Sequence, residues 1–226
     1  MKNNIYKCFG ISKSDAMSLL SSLLEQQNGV DVNISGEGLL CDIEISANDS
    51  NIYFYDYTRE IFEKFSQFVY AETDLSLEET VFELLKLKKY KIATAESLTG
   101  GEIVASLIKK NENASEVVSE GLVLYSLNSK INRLALSENN ANVGVQTTYD
   151  MAQSLLSTSE ADIVIASSGH LKPSSSDYGL VFLAIGNRER VDVFKNKFFG
   201  TRQEIIETAT QASLFYLIKK LRKNDF

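Results

Sequence analysis

The 226-residue chain has few of the residues that metal and disulfide sites need: one histidine, His170, and two cysteines, Cys8 and Cys41. These counts exclude the usual zinc constellations, which use three or four such ligands. Two cysteines cannot build a disulfide framework, so we expect a reducing, cytoplasmic setting. A single histidine also leaves a Ser-His-Asp triad only one base, and a hydrolase of this sequence would favour a different base.

Long apolar runs and positive charge are also scarce. No run approaches the roughly 18 apolar residues of a membrane span, and the first residues lack the apolar core of a signal peptide. The net charge is −7, which disfavours general binding of nucleic acid because phosphate contacts need a basic surface. We therefore expect neither a membrane nor a nucleic acid as a partner.

The charge is spread unevenly and predicts a domain boundary near residues 73–76. Residues 1–75 hold 5 basic and 12 acidic side chains, whereas residues 76–226 hold 18 of each. Ser76 is followed three residues later by Glu79, the capping-box pattern of a helix start. We expect two domains, residues 1–73 and 76–226.

The order of predicted elements favours a small α+β domain followed by an α/β domain. The first part contains a strand at residues 5–9, a helix capped by Ser12, a hairpin across residues 30–46 and a helical aromatic stripe within residues 52–68. In the second part strands alternate with helices, which is typical of a three-layer α/β/α domain. Two late strands that turn at residues 187–189 make its sheet mixed.

The segment TAESLTGG, residues 94–101, lies where a predicted strand ends and a helix begins. Free N–H donors at a helix start can hold a phosphate or a developing oxyanion. Glycines let the backbone come close to a ligand, and Ser97 at this position suits a nucleophile. The alternative is that Ser97 or Thr99 merely caps the helix.

A second segment, YSLNSK at residues 125–130, follows a strand of the same predicted sheet. Lys130 is one helical turn beyond Ser126, so the two can share a helix face. Because only one histidine is available, a lysine whose pKa is lowered by burial is a reasonable base for a serine. The alternative is an ordinary surface lysine.

Two further segments could join the same crevice, since open α/β sheets bind ligands where strand-end loops converge. Residues 167–173 end a third strand, and their His170 is either a base or a loop histidine without a role. Arg202 starts the last helix and can grip a phosphate. The alternative for Arg202 is a solvated side chain.

Together the four segments resemble the C-terminal domain of the CinA family, the nicotinamide mononucleotide amidohydrolases of the PncC type. The family pattern T-A-E-S-C-T-G-G, Y-S-N-x-x-K, V-T-G-I-A-G-P-G-G and F-x-G-D-R corresponds here to TAESLTGG, YSLNSK, ASSGHLKPSS and FFGTR. The order and rough spacing match from about Ser76 to Leu221. Residues 1–73 resemble the KH-like middle region of full CinA proteins, and we expect the family's large N-terminal domain to be absent.

The resemblance implies a Ser/Lys amidohydrolase, without metal or cofactor, that converts nicotinamide mononucleotide to nicotinate mononucleotide and ammonia. By family position Ser97 is the nucleophile, Lys130 its base, and Tyr125 orients the pair or relays a proton. The implied substrate-binding residues are Thr99, Gly100, Gly101, Ser168, Gly169 and Arg202, and the arginine meets the substrate phosphate. The only implied partners are a small-molecule nucleotide and further copies of the chain, a dimer in the family.

The chain departs from the family pattern around the pocket. The glycine-rich loop reads GHLKPSS at residues 169–175, which is bulkier and shorter, and Thr201 replaces the aspartate before the arginine. These departures suit an alternative, a catalytically silent nucleotide-binding or regulatory protein. A second alternative, RNA binding through the KH-like part, is disfavoured. KH domains use a G-x-x-G loop, whereas Gly36 and Gly38 lie in a predicted hairpin of the acidic third.

Overall fold

The structure is a computed structural model that describes residues 1–26, 28–137 and 142–226. It divides the chain into two compact units, Met1–Thr80 and Val81–Phe226, with the division inside helix α4 (Leu77–Lys88). The predicted capping box starts this helix: the Ser76 N–H donates to Glu79 Oε2 at 2.8 Å, and the Glu79 N–H donates to Ser76 Oγ at 3.3 Å. Among the described residues, every helix is too short or too polar to cross a lipid bilayer.

The first unit is an antiparallel sheet with helices packed on one face. Its elements are β1 (Lys2–Phe9), α1 (Lys13–Leu19), α2 (Ser21–Leu24), β2 (Val30–Ser35), β3 (Leu40–Ala47), α3 (Phe54–Phe65) and β4 (Val69–Ala71). The strand order is β2-β3-β1-β4. Alternate residues of β3, among them Ile43 and Ile45, enter a core shared with Ile61 and Phe65 of α3. The architecture is α+β, and its likeness to a KH domain stays a prediction.

Two details of this unit differ from the sequence-based expectation. The helix that Ser12 caps is interrupted at Leu20, which separates α1 from α2. Helix α3 ends at Phe65, so Phe68 leaves the helical stripe, and its carbonyl accepts the N–H of Phe9 at 2.9 Å. Strand β4 begins directly after Phe68. It has three residues and is too short to show the alternation by which strands are predicted.

The second unit has a five-stranded mixed sheet. After α4 come β5 (Ile92–Glu96), α5 (Glu102–Lys110), a 3₁₀ turn (Ala114–Glu116), β6 (Val118–Val123), α6 (Leu127–Leu134), α7 (Val145–Thr158), β7 (Ile163–Gly169), β8 (Leu180–Gly186), β9 (Val191–Lys197) and α8 (Arg202–Lys223). The strand order is β6-β5-β7-β8-β9. Strands β6, β5 and β7 are parallel, whereas β8 and β9 run antiparallel. The predicted mixed sheet is confirmed.

Helices cover both faces of this sheet, which confirms the three-layer α/β/α prediction. Helix α7 packs on one face, where Met151 and Leu155 meet the small side chains of Ala95, Ala166 and Ala184. Helices α5 and α8 pack against each other and the opposite face. Because the carboxyl ends of parallel strands share one edge, the segments after β6, β5 and β7 meet there with the first turns of α5, α6 and α8.

We expect limited proteolysis to release a fragment that starts just before α4 and ends at Phe226. Residues Glu72, Thr73 and Asp74, between β4 and α4, are exposed, and exposed connections are preferred cleavage sites. A glutamate-specific protease should therefore cut early after Glu72, as N-terminal sequencing and mass spectrometry of the fragments would show. Glu72→Gln should slow this cut, and first cleavage within residues 94–101 would contradict the two-domain prediction.

Candidate functional site

A cleft of about 520 Å³ opens at the carboxyl edge of the second unit's sheet. All four segments singled out in the sequence contribute to its walls. Ser97 comes from the turn after β5, Tyr125 from the turn after β6, and Lys130 from α6. Gly169 comes from the end of β7 and Arg202 from the first residue of α8. The fold thus brings together side chains that are up to 105 positions apart in the chain.

Ser97 sits in a tight turn between β5 and α5. Its N–H donates to the carbonyl of Ser167 at 2.9 Å, and its side chain makes no hydrogen bond to any residue that the structure describes. The turn passes through Gly100 and Gly101, with φ of 66° and 99°, a backbone conformation that favours glycine. Gly101 is the N-cap of α5, and this helix start has no side-chain cap hydrogen bond. The Ser97 hydroxyl therefore does not serve as a helix cap.

Glu96 is a residue of the site to which sequence reasoning gave no role. Its carboxylate is fully buried and its oxygens accept five hydrogen bonds of 2.7–3.0 Å. The donors are the Gly101 and Ile103 N–H and the Thr99 hydroxyl on Oε2, and the Val104 N–H and Thr94 hydroxyl on Oε1. The carboxylate therefore satisfies the amides at the start of α5, where the helix dipole also favours negative charge. The available sequence signal was an acid directly before a glycine-rich helix start.

The arrangement around Glu96 changes which amides can serve an oxyanion. Gly101, an expected contributor, donates its N–H to Glu96 and is not available to a ligand. The N–H groups of Leu98, Thr99 and Gly100 bond to no residue in the described part of the chain. Of these three residues only Leu98 lines the cleft. The Leu98 N–H, directly after Ser97, is the backbone donor best placed for a developing negative charge.

Lys130 lies on the cleft wall and is 4% exposed. Helix α6 positions it, with Ser126 as N-cap accepting the Ser129 N–H at 3.1 Å. The Lys130 ammonium has no ion pair or hydrogen bond with any described residue. Burial without a compensating carboxylate lowers the pKa of Lys130 from its ordinary value. It is therefore not a surface lysine, and the site favours its neutral form.

Arg202 and Tyr125 form a hydrogen-bonded pair at the mouth of the cleft. Arg202 Nη2 donates to Tyr125 Oη at 2.8 Å, and Nη1 donates to the carbonyl of Leu171 at 3.2 Å. Thr201, where the family pattern has aspartate, caps α8 in a capping box with Glu204. Tyr125 is 63% exposed, and its hydroxyl bonds to Arg202 and not to Ser97 or Lys130. The guanidinium has no ion pair with a carboxylate of any described residue, so it can still bind an anion.

The other expected substrate-binding residues fall into two groups. Gly169 lines the cleft, and a side chain there would overlap Leu98 and the carbonyl of Leu180. Thr99, Gly100, Gly101 and Ser168 are not among the cleft-lining residues. Thr99 bonds to Glu96 and Ser167 behind the turn, and Ser168 shares a 2.6 Å hydrogen bond with Thr148 of α7. These side chains support the walls rather than line them.

Fold and site together define an α/β protein whose sheet edge carries a serine and a buried lysine in one cleft. The chain belongs to the CinA family: the family profile described as the CinA C-terminal domain matches residues 74–221. It is similar to the CinA-like proteins of Thermotoga neapolitana, at 30% identity over 97% of this chain and 56% of that protein, and Fusobacterium nucleatum, at 32% identity over 73% and 42%.

A solved structure supports the fold of the second unit. The crystal structure of a competence or damage-inducible protein from Enterobacter asburiae superposes with a TM-score of 0.60 at 29% identity. The match covers 66% of this chain and 99% of that protein. The chain spans about half the length of the curated relatives it matches. In three relatives that align with nearly all of this chain, the aligned part is 56% of the relative's own length.

We expect Glu96→Gln to destabilise the protein by about 2 kcal/mol, because an amide cannot accept at both positions. Either orientation of the amide turns an NH₂ group toward backbone N–H groups, of Gly101 and Ile103 or of Val104. Urea unfolding would measure the change. Glu112→Gln, at an exposed glutamate of the same unit, is the matched control, and equal stability of the two variants would contradict this role of Glu96.

Proposed function

We propose that the second unit is an amidohydrolase that converts nicotinamide mononucleotide to nicotinate mononucleotide and ammonia by a Ser/Lys mechanism. The observation that carries the proposal is the presence in one cleft of Ser97 and the buried Lys130, which has no ion pair with any described residue. A serine hydroxyl is a weak nucleophile at neutral pH and needs a base beside it. A lysine whose pKa is lowered by burial is such a base, because its neutral form, which accepts the proton, is reached more readily.

In the first half of the reaction Lys130 Nζ takes the proton of the Ser97 hydroxyl as Oγ attacks the carboxamide carbon. The carbonyl oxygen becomes an oxyanion, which the N–H of Leu98 can stabilise. An oxyanion donor contributes about 3–4 kcal/mol of transition-state stabilisation where one has been removed by mutation. The tetrahedral intermediate then collapses. Its C–N bond breaks, the leaving nitrogen takes the proton from the Lys130 ammonium, and ammonia departs.

The second half frees the enzyme from the acyl ester on Ser97. Neutral Lys130 takes a proton from water, the resulting hydroxide attacks the ester carbon, and the C–O bond to Ser97 breaks. The proton on Lys130 returns to Ser97 Oγ, and the product acid loses its own proton to the solvent and leaves as a carboxylate. The same base thus acts in both halves, so one lysine is sufficient for the complete cycle.

Arg202 supplies the phosphate contact of the proposed substrate. Its guanidinium is fixed by Tyr125 and the carbonyl of Leu171, and a fixed guanidinium binds a phosphate without first losing side-chain freedom. The apolar side chains of Leu98, Leu171 and Pro173 line the same cleft and offer a surface for a pyridine ring. The nucleotide would therefore span the cleft from Ser97 to Arg202.

We expect Ser97→Ala and Lys130→Ala each to lower kcat/KM for ammonia release from nicotinamide mononucleotide by at least about 10³-fold, because nucleophile and base act as a unit. A coupled ammonia assay would measure the change, with nicotinamide riboside and other amides alongside. Ser115→Ala and Lys110→Ala, at exposed positions outside the cleft, are the matched controls. Full activity of Ser97→Ala, or loss only in His170→Ala, would overturn the assignment.

The pH profile should report Lys130. The neutral amine is the active form, so activity is lost as pH falls through the pKa of Lys130. Because burial lowers that pKa, the acidic limb of kcat/KM should lie at lower pH than an exposed lysine would give. Lys110→Ala should leave the limb in place. An activity that rises only at the pH where free lysine loses its proton would contradict a buried base.

If the wild type releases no ammonia, the result supports the alternative of a catalytically silent binding protein. The free energy of unfolding of the Lys130→Met variant then still tests how Lys130 is buried. Because the folded state disfavours the Lys130 ammonium, the unfolded chain binds this proton more readily. The free energy of unfolding of the wild type therefore rises with pH between the pKa of Lys130 in the folded state and its pKa in the unfolded chain. Lys130→Met should be more stable than wild type at neutral pH, with the difference narrowing at alkaline pH, where the lysine is neutral in both states.

A further inference from the structure

The cleft is lined by more basic residues than are required to bind the single phosphate of the proposed substrate. Lys130, Lys172 and Arg202 line it together with His170, and the lining residues in the described part of the chain include no aspartate or glutamate. The whole chain has a net charge of −7, so this concentration of cations opposes the average. Lys130 serves the mechanism only as a neutral amine. Lys172 and Arg202 are then the two basic residues of the lining that the proposed chemistry leaves for binding an anion.

Lys172 stands on a loop whose backbone is fixed. The N–H of His170 donates to the carbonyl of Leu180 at 2.9 Å, and the N–H of Gly179 donates to the carbonyl of His170 at 2.7 Å, so the base of the loop continues the β7–β8 pairing. The Ser175 N–H donates to the carbonyl of Lys172 at 2.9 Å and closes a turn over Pro173. The lysine is thus presented from a defined position on the cleft wall.

The backbone of the loop that carries Lys172 lies next to Arg202. Arg202 Nη1 lies 3.2 Å from the carbonyl oxygen of Leu171, the residue directly before Lys172. The Lys172 side chain has no ion pair or hydrogen bond with any described residue. An anion with charge on two linked groups can contact both basic side chains at once, whereas a single phosphate offers one centre of charge.

We propose that Lys172 and Arg202 form a two-part anion site that selects ligands carrying a diphosphate over ligands carrying one phosphate. The proposal rests on the proposed function for the carboxamide end of the substrate. It extends the substrate class to dinucleotides in which the nicotinamide nucleotide is joined through a diphosphate. Arg202 would hold the phosphate nearer the reacting amide, and Lys172 the second phosphate toward the rim.

Calorimetric titration of the Ser97→Ala protein, in EDTA at low ionic strength, tests this without turnover. Pyrophosphate should bind about tenfold more tightly than inorganic phosphate, because a charge-assisted contact contributes enough for such a ratio. The nicotinamide dinucleotide should likewise exceed the mononucleotide. Adding Lys172→Ala should remove most of this preference, whereas Arg202→Ala should weaken both anions. Lys110→Ala on the same background should keep the wild-type ratio.

The outcomes separate the anion site from the proposed reaction. Equal affinity for phosphate and pyrophosphate, or a preference that Lys172→Ala leaves intact, would overturn the two-part site whatever the amidase assay shows. A diphosphate preference that depends on Lys172 supports the site even if no ammonia is released. In that case only the proposed reaction fails. Circular dichroism of each variant checks that the fold is retained, and Lys172→Arg should restore the preference by returning the charge.

Discussion

The site depends on one buried carboxylate, Glu96, and the five donors that converge on it. A carboxylate without a cation is stable inside a protein only when hydrogen bonds replace its water shell. Here the start of α5 supplies three N–H groups, so the charge and the helix dipole stabilise each other. Since Glu96 is the last residue of β5, the same contacts fix the direction in which the chain leaves the strand. Ser97 is the next residue and takes its position from them.

Two buried ionisable groups near the cleft have opposite surroundings. Glu96 has hydrogen bonds on both oxygens, whereas Lys130 has no ion pair or hydrogen bond with any described residue. Hydrogen bonds thus replace the water shell of the Glu96 carboxylate, whereas burial lowers the pKa of Lys130 from its ordinary value. A carboxylate in contact with Lys130 would hold it as an ammonium, unable to accept a proton. Glu96 is not such a partner for Lys130, because both of its oxygens already accept hydrogen bonds behind the turn.

The sequence was sufficient to predict the sheet and the convergence of the four segments, because both follow from local patterns. Alternating strands and helices fix the layers, and residues that follow parallel strands must meet at one edge. What it could not predict depends on contacts between distant residues. Ser168 and Thr99 carry hydroxyls suited to a ligand, yet Thr148 and Ser167 bond to them. Tyr125 meets Arg202, 77 positions further on, and no local pattern encodes that contact.

The cleft combines a rigid inner wall with a rim whose side chains are free to differ. At Gly169 a side chain would overlap the Leu98 side chain and the carbonyl oxygen of Leu180, so a substitution there would have to displace the wall next to Ser97. Beyond Gly169 the loop is held by backbone hydrogen bonds, which side-chain identity does not alter. A leucine and a lysine, Leu171 and Lys172, can therefore stand where the family pattern has alanine and glycine without moving Ser97 or Lys130. The hydrogen bonds that fix the turn at Ser97 and those that fix the loop after Gly169 have no residue in common, so loop side chains can differ while the turn keeps its geometry.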